Sequence, residues 1–447
     1  MVRSIEEPAR SVPVIGEYDI CVIGGSCTGV FAAVRAARLG AKVAVVEKQN
    51  SFGGVATNGL VCVWHSTRDT EHNNEIIAGL SVEVVERLKK RNAVLMADKS
   101  ADRGCTFNPQ ELKIELDELV TEHEVTPYLH TLYTAPHVED GKLRGIFVEN
   151  KGGRGVILAK VFIDASGDGD LAAHLDLPFT VDPHLQPPTT TALIRGLRKP
   201  DLDIKDLVRE HEKEFGLERD QGWSTYIPNE DDICMLAETH VFDVDPADPG
   251  DLTNAEINGR RQIRAIMDIF RKYGPQKDDM TLLTLASYIG IRETRIFSAD
   301  YQLTEEDVLH GRRFPDAIAN GSYRVDIHHP EGGGYIFRYL NGRQVDHAAG
   351  KSEWSRWREE TDEDPTFYQI PYRCMVTKKV DNLIMAGRMI SADKGAFGAI
   401  RVMINLNQTG EAAGVAAWQS IQAGRPVHAI DTAQLRDTLA EGGSVIL

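Results

Sequence analysis

Between Tyr18 and Glu47 the chain runs a short β-branched segment, a glycine turn, an alanine-rich segment and a second β-branched segment, an order few folds accept. Tyr18 to Ile23 (YDICVI) ends at Gly24-Gly25, Val30 to Leu39 (VFAAVRAARL) has helical character and closes at Gly40, and Lys42 to Glu47 (KVAVVE) follows. Two strands joined through a helix lie parallel, so this is a βαβ unit. Gly24-Gly25-Ser26-Cys27-Thr28-Gly29 falls between the first strand and its helix, where a dinucleotide pyrophosphate is held. Glycine lets the backbone approach the phosphates, and the helix N-terminus supplies unpaired N–H groups and a positive dipole end. Ser26 stands where the GxGxxG pattern has its second glycine, a departure that a small side chain tolerates. Glu47, with Lys48 beside it, ends the second strand 23 residues after Gly24. A carboxylate there accepts hydrogen bonds from ribose hydroxyls and disfavours a 2′-phosphate.

Further along, Ser51 to Gly59 (SFGGVATNG) is a second glycine loop, and helices are expected from about Gly79 to Asn92 and from Asn108 to His123, the latter opened by Pro109. Three alternating segments between Leu129 and Ile163, separated by Asp140-Gly141 and Gly152-Gly153, predict a three-stranded meander. The last of them runs into Ala165-Ser166-Gly167-Asp168-Gly169. From about Leu185 to Tyr372 the periodicity is irregular, apart from a helix over Leu252 to Tyr273. The α/β pattern returns with a strand at Asn382 to Ala386, a turn at Gly387 and an Ala/Gly-rich helix over Gln408 to Ala423, fit for close packing.

The net charge of −17 repels phosphate backbones and anionic membrane surfaces, so neither nucleic acid nor membrane is an expected partner. Six cysteines without CxxC spacing give neither a zinc ribbon nor a redox disulfide. The opening residues are polar and broken by Pro8 and Pro13, unlike a secretory signal, and no window is apolar enough to span a membrane. A cytoplasmic location is the expectation.

NAD and FAD share the fingerprint around Gly24. The chain resembles the FAD-dependent oxidoreductases of the glutathione-reductase-like superfamily, through YDICVIGGSCTGVFAAVRAARLGAKVAVVEK, SFGGVATNGLV, FIDASGDGDLAAHLDLPF and the long block from Tyr372 to Ala417, together with IGIRETR at 289–295 and FPDAIANGSYRVDIHHP at 314–330. The resemblance implies a Rossmann-like α/β fold of the GR2 type with an inserted mixed α+β substrate domain, and FAD as cofactor. It implies that Gly53, Gly54, Val55, Ala56 and Thr57 lie near the pyrophosphate and flavin. Ala165, Ser166, Gly167 and Asp168 would meet the adenosine side, and Gly387 with Arg388 the ribityl-pyrophosphate. Gly398, Ala399, Ile400, Arg401 and Val402 would lead into a helix whose N-terminus faces the flavin pyrimidine, where it stabilises the negative charge of the reduced ring. A second nucleotide fold is not visible: Gly332-Gly333-Gly334 follows Pro330 without a preceding buried strand and reads as a flexible loop.

Catalytic candidates are fewer. Arg292, in IGIRETR, offers a guanidinium for an anionic substrate, or a structural pair with Glu293. His328, next to His329, offers an imidazole that moves a proton near neutral pH; with no third ligand at suggestive spacing, no metal site is expected. His65 follows the second glycine loop with Trp64, and both are placed to line the active-site face; proximity alone raises covalent flavin attachment at His65 or Cys62, and packing suits Cys62 better.

The expected division is an FAD-binding domain from residues 16–184 and 373–427 with a substrate domain at 185–372 between them. The expected reaction is hydride transfer between a small organic substrate and flavin N5. A flavin monooxygenase or halogenase, or an FAD electron-transfer subunit without chemistry of its own, are the alternatives, and a homo-oligomer or an electron-accepting partner stays open.

Overall fold

The Tyr18–Ile23 run extends upstream in the computed structural model, giving a first strand, β1, over Val14–Ile23; helix α1 follows over Cys27–Arg38 and strand β2 over Val43–Val46. The structure describes residues 4–97, 104–197, 204–217, 222–275, 279–329, 333–348 and 350–447. β1 and β2 are parallel, with Ile20 opposite Val43 and Ile23 opposite Val46. They are buried over this stretch, as expected of strands covered on both faces. Around them a seven-stranded sheet forms in which Thr126–Tyr128 flanks β2 and Gly153–Asp164 flanks β1 on its other side, both parallel.

Gly153–Asp164 joins two regimes. Its first half pairs antiparallel with Lys142–Asn150, which pairs with Leu132–Glu139, so the expected meander is present. Its last residues pair in parallel with Leu383–Met385 from the far end of the chain. The two ends of the sequence therefore share one sheet.

The long helix near the C-terminus, followed by a shorter one over Thr432–Glu441, spans Met403–Ala423, starting at Met403 rather than at Gln408. It packs along α1 through its small residues. A Cβ on Gly410 would sit 2.1 Å from the Thr28 carbonyl oxygen, and one on Gly414 2.2 Å from that of Ala32. Four residues apart, the two glycines share one helix face, and their missing side chains let the backbones touch.

Between these outer parts the described residues include two four-stranded sheets. Ala192–Arg195, Trp223–Tyr226, Ile233–Ala237 and Thr281–Leu285 form one, covered by helix Pro249–Tyr273 through Ile263, Ile266, Met267 and Phe270. Val325–His328, Tyr335–Arg338, Arg343–Ala348 and Lys351–Arg356 form the other, a meander. The glycine stretch read as a loop connects its first two strands, so a strand with Val325 and Asp326 buried does precede it; Pro330 to Gly332 lie outside the described residues. Ala317–Gly321 pairs with Tyr368–Pro371 beside the C-terminal helix, where Asn320 donates to the Ile76 carbonyl and its own N–H donates to Gln408. Among the described residues no helix is long and apolar enough to cross a membrane. All six cysteines are buried and unpaired with one another.

One charged pair is buried in this packing. Glu411, on the C-terminal helix, lies 3.5 Å from Arg35 of α1 and accepts from the Leu80 N–H at 3.0 Å, at the start of helix Leu80–Lys90. Burial outweighs these attractions and pushes its carboxyl up from 4.5 to about 7.

Two expectations follow. Gly414→Val forces a branched side chain against a backbone carbonyl and costs about 1–3 kcal/mol, read from the urea midpoint. A carboxyl raised in the folded state contributes stability that is complete below its ordinary value and is lost as pH rises through about 7. Glu411→Gln keeps an acceptor for the Leu80 N–H, so denaturation at roughly pH 5 and roughly pH 8 should show a flatter stability profile than the parent.

Candidate functional site

The site begins at the turn after β1. Gly24 has a φ of +98°, and a Cβ there would lie 2.4 Å from the Ala165 carbonyl oxygen, so both conformation and space require glycine. Gly29 presses against the Gly24 carbonyl in the same way, which closes the turn onto α1. Ser26 is the N-cap of α1, its Oγ accepting from the Gly29 N–H at 3.4 Å, a use for this departure from glycine. The Glu47 carboxylate, at the end of β2 and largely buried, accepts from the Gly25 N–H at 2.7 Å and from Gln49 at 2.8 Å. Lys48 points outward and is exposed.

The second glycine loop docks on the first. Gly53, at φ +104°, donates its N–H to the Gly25 carbonyl at 2.8 Å, and Cys27 Sγ reaches the Gly53 carbonyl. Thr57 holds the loop from inside by donating to the Phe52 carbonyl at 2.6 Å, while Ala56 is fully buried. On the facing turn, Asp168 accepts from Arg388 Nη2 and from Thr294 Oγ1, both at 2.9 Å, and Arg295 donates to the Asp168 carbonyl and to Asp170. Ser166 donates to Asp164, Gly167 abuts the Arg388 guanidinium, and Gly387 takes a φ of +106°. One missed side chain reaches this region from the middle of the chain. The Tyr288 hydroxyl lies 3.6 Å from where a Gly54 Cβ would sit, and burial, then Glu47, pushes its pKa upward.

Next to these loops is a cavity of about 440 Å³. It brings His65, Arg292 and His328 together, although they are spread over three distant segments, and Val55, Arg388, Arg401 and Val402 also line it. Arg292 donates to the Pro187 carbonyl, to Thr189 Oγ1 and, at 3.2 Å, to His240 Nε2. The His240 ring meets that of His328 edge-on at 4.8 Å. Burial, reinforced by Arg292 and His328, pushes the His240 pKa well below its ordinary value, so the ring is neutral. On the other side the His65 ring meets Tyr323 at 4.3 Å, and the Tyr323 hydroxyl donates to Asp326 Oδ2 at 2.7 Å. Asp326 also faces Arg401 at 3.2 Å; burial opposes its ionisation, but Arg401, His328 and Arg324 overcome it and bring the carboxyl down to about 2.

Several candidates lie elsewhere. Trp64 is turned from the cavity and packs on Phe107 at 5.2 Å, because neighbouring residues of a strand face opposite sides. For the same reason Val61 and Val63 line the cavity while Cys62 sits in the core. Gly398, Ala399 and Ile400 belong to a short helix, Lys394–Ile400, where Gly398 admits the Asp326 backbone. His329 bonds Asp346 across the meander. Glu293, the expected partner of Arg292, instead accepts from Lys394 at 2.8 Å and from the Gln186 N–H. His240, Tyr323, Arg324 and Asp326 were not singled out from sequence; the last three stand in the quoted 314–330 stretch, and His240 follows a strand without any motif.

A family profile described as FAD dependent oxidoreductase matches residues 19–439. The chain belongs to this family. As an FAD dependent oxidoreductase it is an enzyme that binds FAD. The mitochondrial dihydrolipoyl dehydrogenase of Schizosaccharomyces pombe is 32% identical over 112 residues, 22% of this chain and 21% of that one. The Trypanosoma brucei brucei dihydrolipoyl dehydrogenase is 45% identical over 94 residues, 18% of this chain and 20% of that one. The chain thus spans about a fifth of the length of the curated relatives it matches. Among solved structures, a geranylgeranyl bacteriochlorophyll reductase-like protein from Thermoplasma acidophilum aligns over 95% of this chain and 84% of its own, at 12% identity and a TM-score of 0.47. The L-proline dehydrogenase from P. horikoshii aligns over 97% and 100%, at 12% identity and a TM-score of 0.43.

Proposed function

We propose that this FAD dependent oxidoreductase transfers a hydride between a small organic substrate held in the 440 Å³ cavity and FAD. The observation that carries this reading is the convergence of His65, Arg292 and His328 on one cavity that Val55 of the second glycine loop and Arg388 also line. Residues 16–184 and 373–427 would hold the cofactor, and 185–372 would supply most of the substrate wall.

The residues fit a dinucleotide. Gly24, Gly25 and the N-terminus of α1 leave a bare-backbone cradle suited to a pyrophosphate, with Ser26, Cys27, Thr28 and Gly29 forming its floor. Glu47 ends its strand with a carboxylate that would accept from ribose hydroxyls. Gly53 to Thr57 extend the cradle, Ala165 to Asp168 close it, and Gly387 with Arg388 complete it. Arg388 Nη1 is buried with no hydrogen-bond partner among the described residues, a donor in want of an acceptor. Arg401 and Val402 stand at the start of the C-terminal helix, whose first N–H groups have no intrahelical acceptor.

FAD, when bound, supplies the two-electron acceptor. The chain must bind the substrate, exclude water and manage the proton released as a C–H bond next to an OH or amine is oxidised. His328 is assigned the proton-accepting role. It faces the cavity beside a neutral His240, itself oriented by the Arg292 hydrogen bond. His65, against Tyr323, positions the opposite wall.

The purified protein should be yellow and release FAD on denaturation. Glu47→Ala removes the ribose acceptor and should weaken FAD retention by about tenfold to a hundredfold, read by flavin content after dialysis. With a substrate found by anaerobic bleaching, His328→Ala should keep FAD bound and slow reduction roughly a hundredfold or more. A colourless chain that cannot be reconstituted with FAD would sink the cofactor assignments, and an unchanged reduction rate in His328→Ala the assignment of the base.

A further inference from the structure

One side chain of the middle segment reaches the space between the two glycine loops. A Cβ on Gly54 would lie 2.9 Å from the Cβ of Ser26, the N-cap of α1, and 3.6 Å from the Tyr288 hydroxyl. The hydroxyl and the start of α1 therefore face one another across a glycine that leaves the space between them open. Burial raises the phenol pKa, Glu47 adds to the rise, Arg388 opposes it, and Asp168 and Cys27 add to it again. Residues of both glycine turns and of the Gly387 turn thus surround this one hydroxyl. A phenol held above its ordinary value stays protonated at neutral pH and is a hydrogen-bond donor.

The loop that carries Tyr288 is held on both sides. Ser287 donates its N–H to the Asn58 carbonyl at 2.8 Å, at the end of the second glycine loop, and Ile289 donates to Glu256 Oε1 at 2.7 Å. Gly290 and Thr189 exchange N–H···O bonds at 2.7 and 3.0 Å. With the backbone fixed before and after it, the ring is directed into the space between the loops. A tyrosine hydroxyl in such surroundings ordinarily finds a partner, yet that of Tyr288 makes no hydrogen bond to a described residue. Arg388 repeats the pattern: Nη2 is committed to Asp168, and Nη1 is buried with no partner among the described residues. Two donors from distant parts of the sequence border one space, and both want an acceptor.

We propose that Tyr288 is a cofactor-binding residue supplied by the middle segment, its hydroxyl donating to the FAD pyrophosphate alongside Arg388 Nη1 and the first N–H groups of α1. This rests on the reading that the two glycine loops hold the cofactor. A pyrophosphate offers charged oxygens with enough lone pairs for a hydroxyl, a guanidinium and backbone N–H groups to share. Ribose is the poorer match, because the Glu47 carboxylate is already placed for its hydroxyls. Arg292 follows Tyr288 by four residues and lines the cavity, so the same anchored stretch meets the cofactor at one end and the cavity at the other.

The test reads cofactor retention rather than turnover. Tyr288→Phe keeps the ring and removes the hydroxyl. FAD release from the diluted holoenzyme, followed by the recovery of flavin fluorescence, should be about tenfold to a hundredfold faster, as expected for the loss of a hydrogen bond to a charged group. The thermal midpoint of the FAD-free protein should stay that of the parent, and the rise produced by excess FAD should shrink. ADP, which carries the diphosphate, should lose affinity in parallel with FAD, and adenosine should be unaffected. Ser287→Ala, exposed and next in sequence, should release FAD at the parent rate. Parent-like binding of FAD and ADP by Tyr288→Phe overturns the assignment, and so does an equal loss for adenosine, which would put the contact on the nucleoside. Should Tyr288→Phe not fold, a ring-fluorinated tyrosine at position 288 takes its place: its fluorine resonance should move when ADP is added to the FAD-free protein, and an unmoved resonance overturns the assignment. Glu47→Ala separates the two readings. Weaker FAD binding there with parent-like binding in Tyr288→Phe removes only the role of Tyr288, whereas parent-like binding in both removes the placement of the cofactor on the glycine loops as well.

Discussion

Everything in this architecture depends on how closely three backbones meet at the end of β1. Gly24 lies against the Ala165 carbonyl, and Gly29 against the Gly24 carbonyl. A side chain at either position would push α1 off the sheet. The same closeness repeats on the far side of α1, where Thr28 and Ala32 present carbonyls to Gly410 and Gly414. The helix is thus clamped between a glycine turn and a glycine face, and its N-terminus stays aimed at one point. A dinucleotide site built from backbone N–H groups needs that rigidity, because backbone donors cannot adjust by rotamer.

Gly153–Asp164 propagates the arrangement to the other end of the chain. By holding β1 on one edge and Leu383–Met385 on the other, it delivers Gly387 and Arg388 opposite the Ala165–Asp168 turn. Arg388 then reaches Asp168 at 2.9 Å, which is 220 positions away in sequence. The pairing is local in space only because the sheet has already been assembled. The short helix Lys394–Ile400 and then the Met403–Ala423 helix follow, so Arg401 and Val402 arrive at the cavity by the same route.

What was legible in the sequence were the parts governed by short-range rules. The Gly24 turn, the α1 periodicity, Glu47 at a strand end and the meander each carry their signal within a few residues. The alanine-glycine helix was legible as a close-packing element for the same reason. The cavity was legible only in fragments. Arg292 and His328 stood out by residue type and His65 by proximity to a glycine loop, yet nothing in the sequence brought the three to one place. His240 was missed because its role comes from the Arg292 hydrogen bond and from burial, neither of which has a pattern. Tyr323 and Asp326 stood in a stretch read for its histidines, and their hydrogen bond makes sense only against Arg401. Trp64 was misplaced because strand alternation turns it to the opposite face from His65.

The middle segment is tied to the glycine turns by ions as well as by packing. Asp168 accepts from Arg388 and from Thr294, while Arg295 spans the Asp168 carbonyl and Asp170. Thr294 and Arg295 directly follow Arg292 and Glu293, and Glu293 is held by Lys394 of the short helix before the cavity. One stretch of four residues therefore carries a cavity guanidinium, an ion pair to the C-terminal part and two bonds to the glycine turn. Partly buried ion pairs of this kind contribute little net stability but help fix geometry, since Glu293, the most buried partner, would remain desolvated if displaced. On that physics the register between Arg292 and the glycine turn is set by Asp168 and Lys394, and the placement of the cavity relative to the glycine loops follows from it.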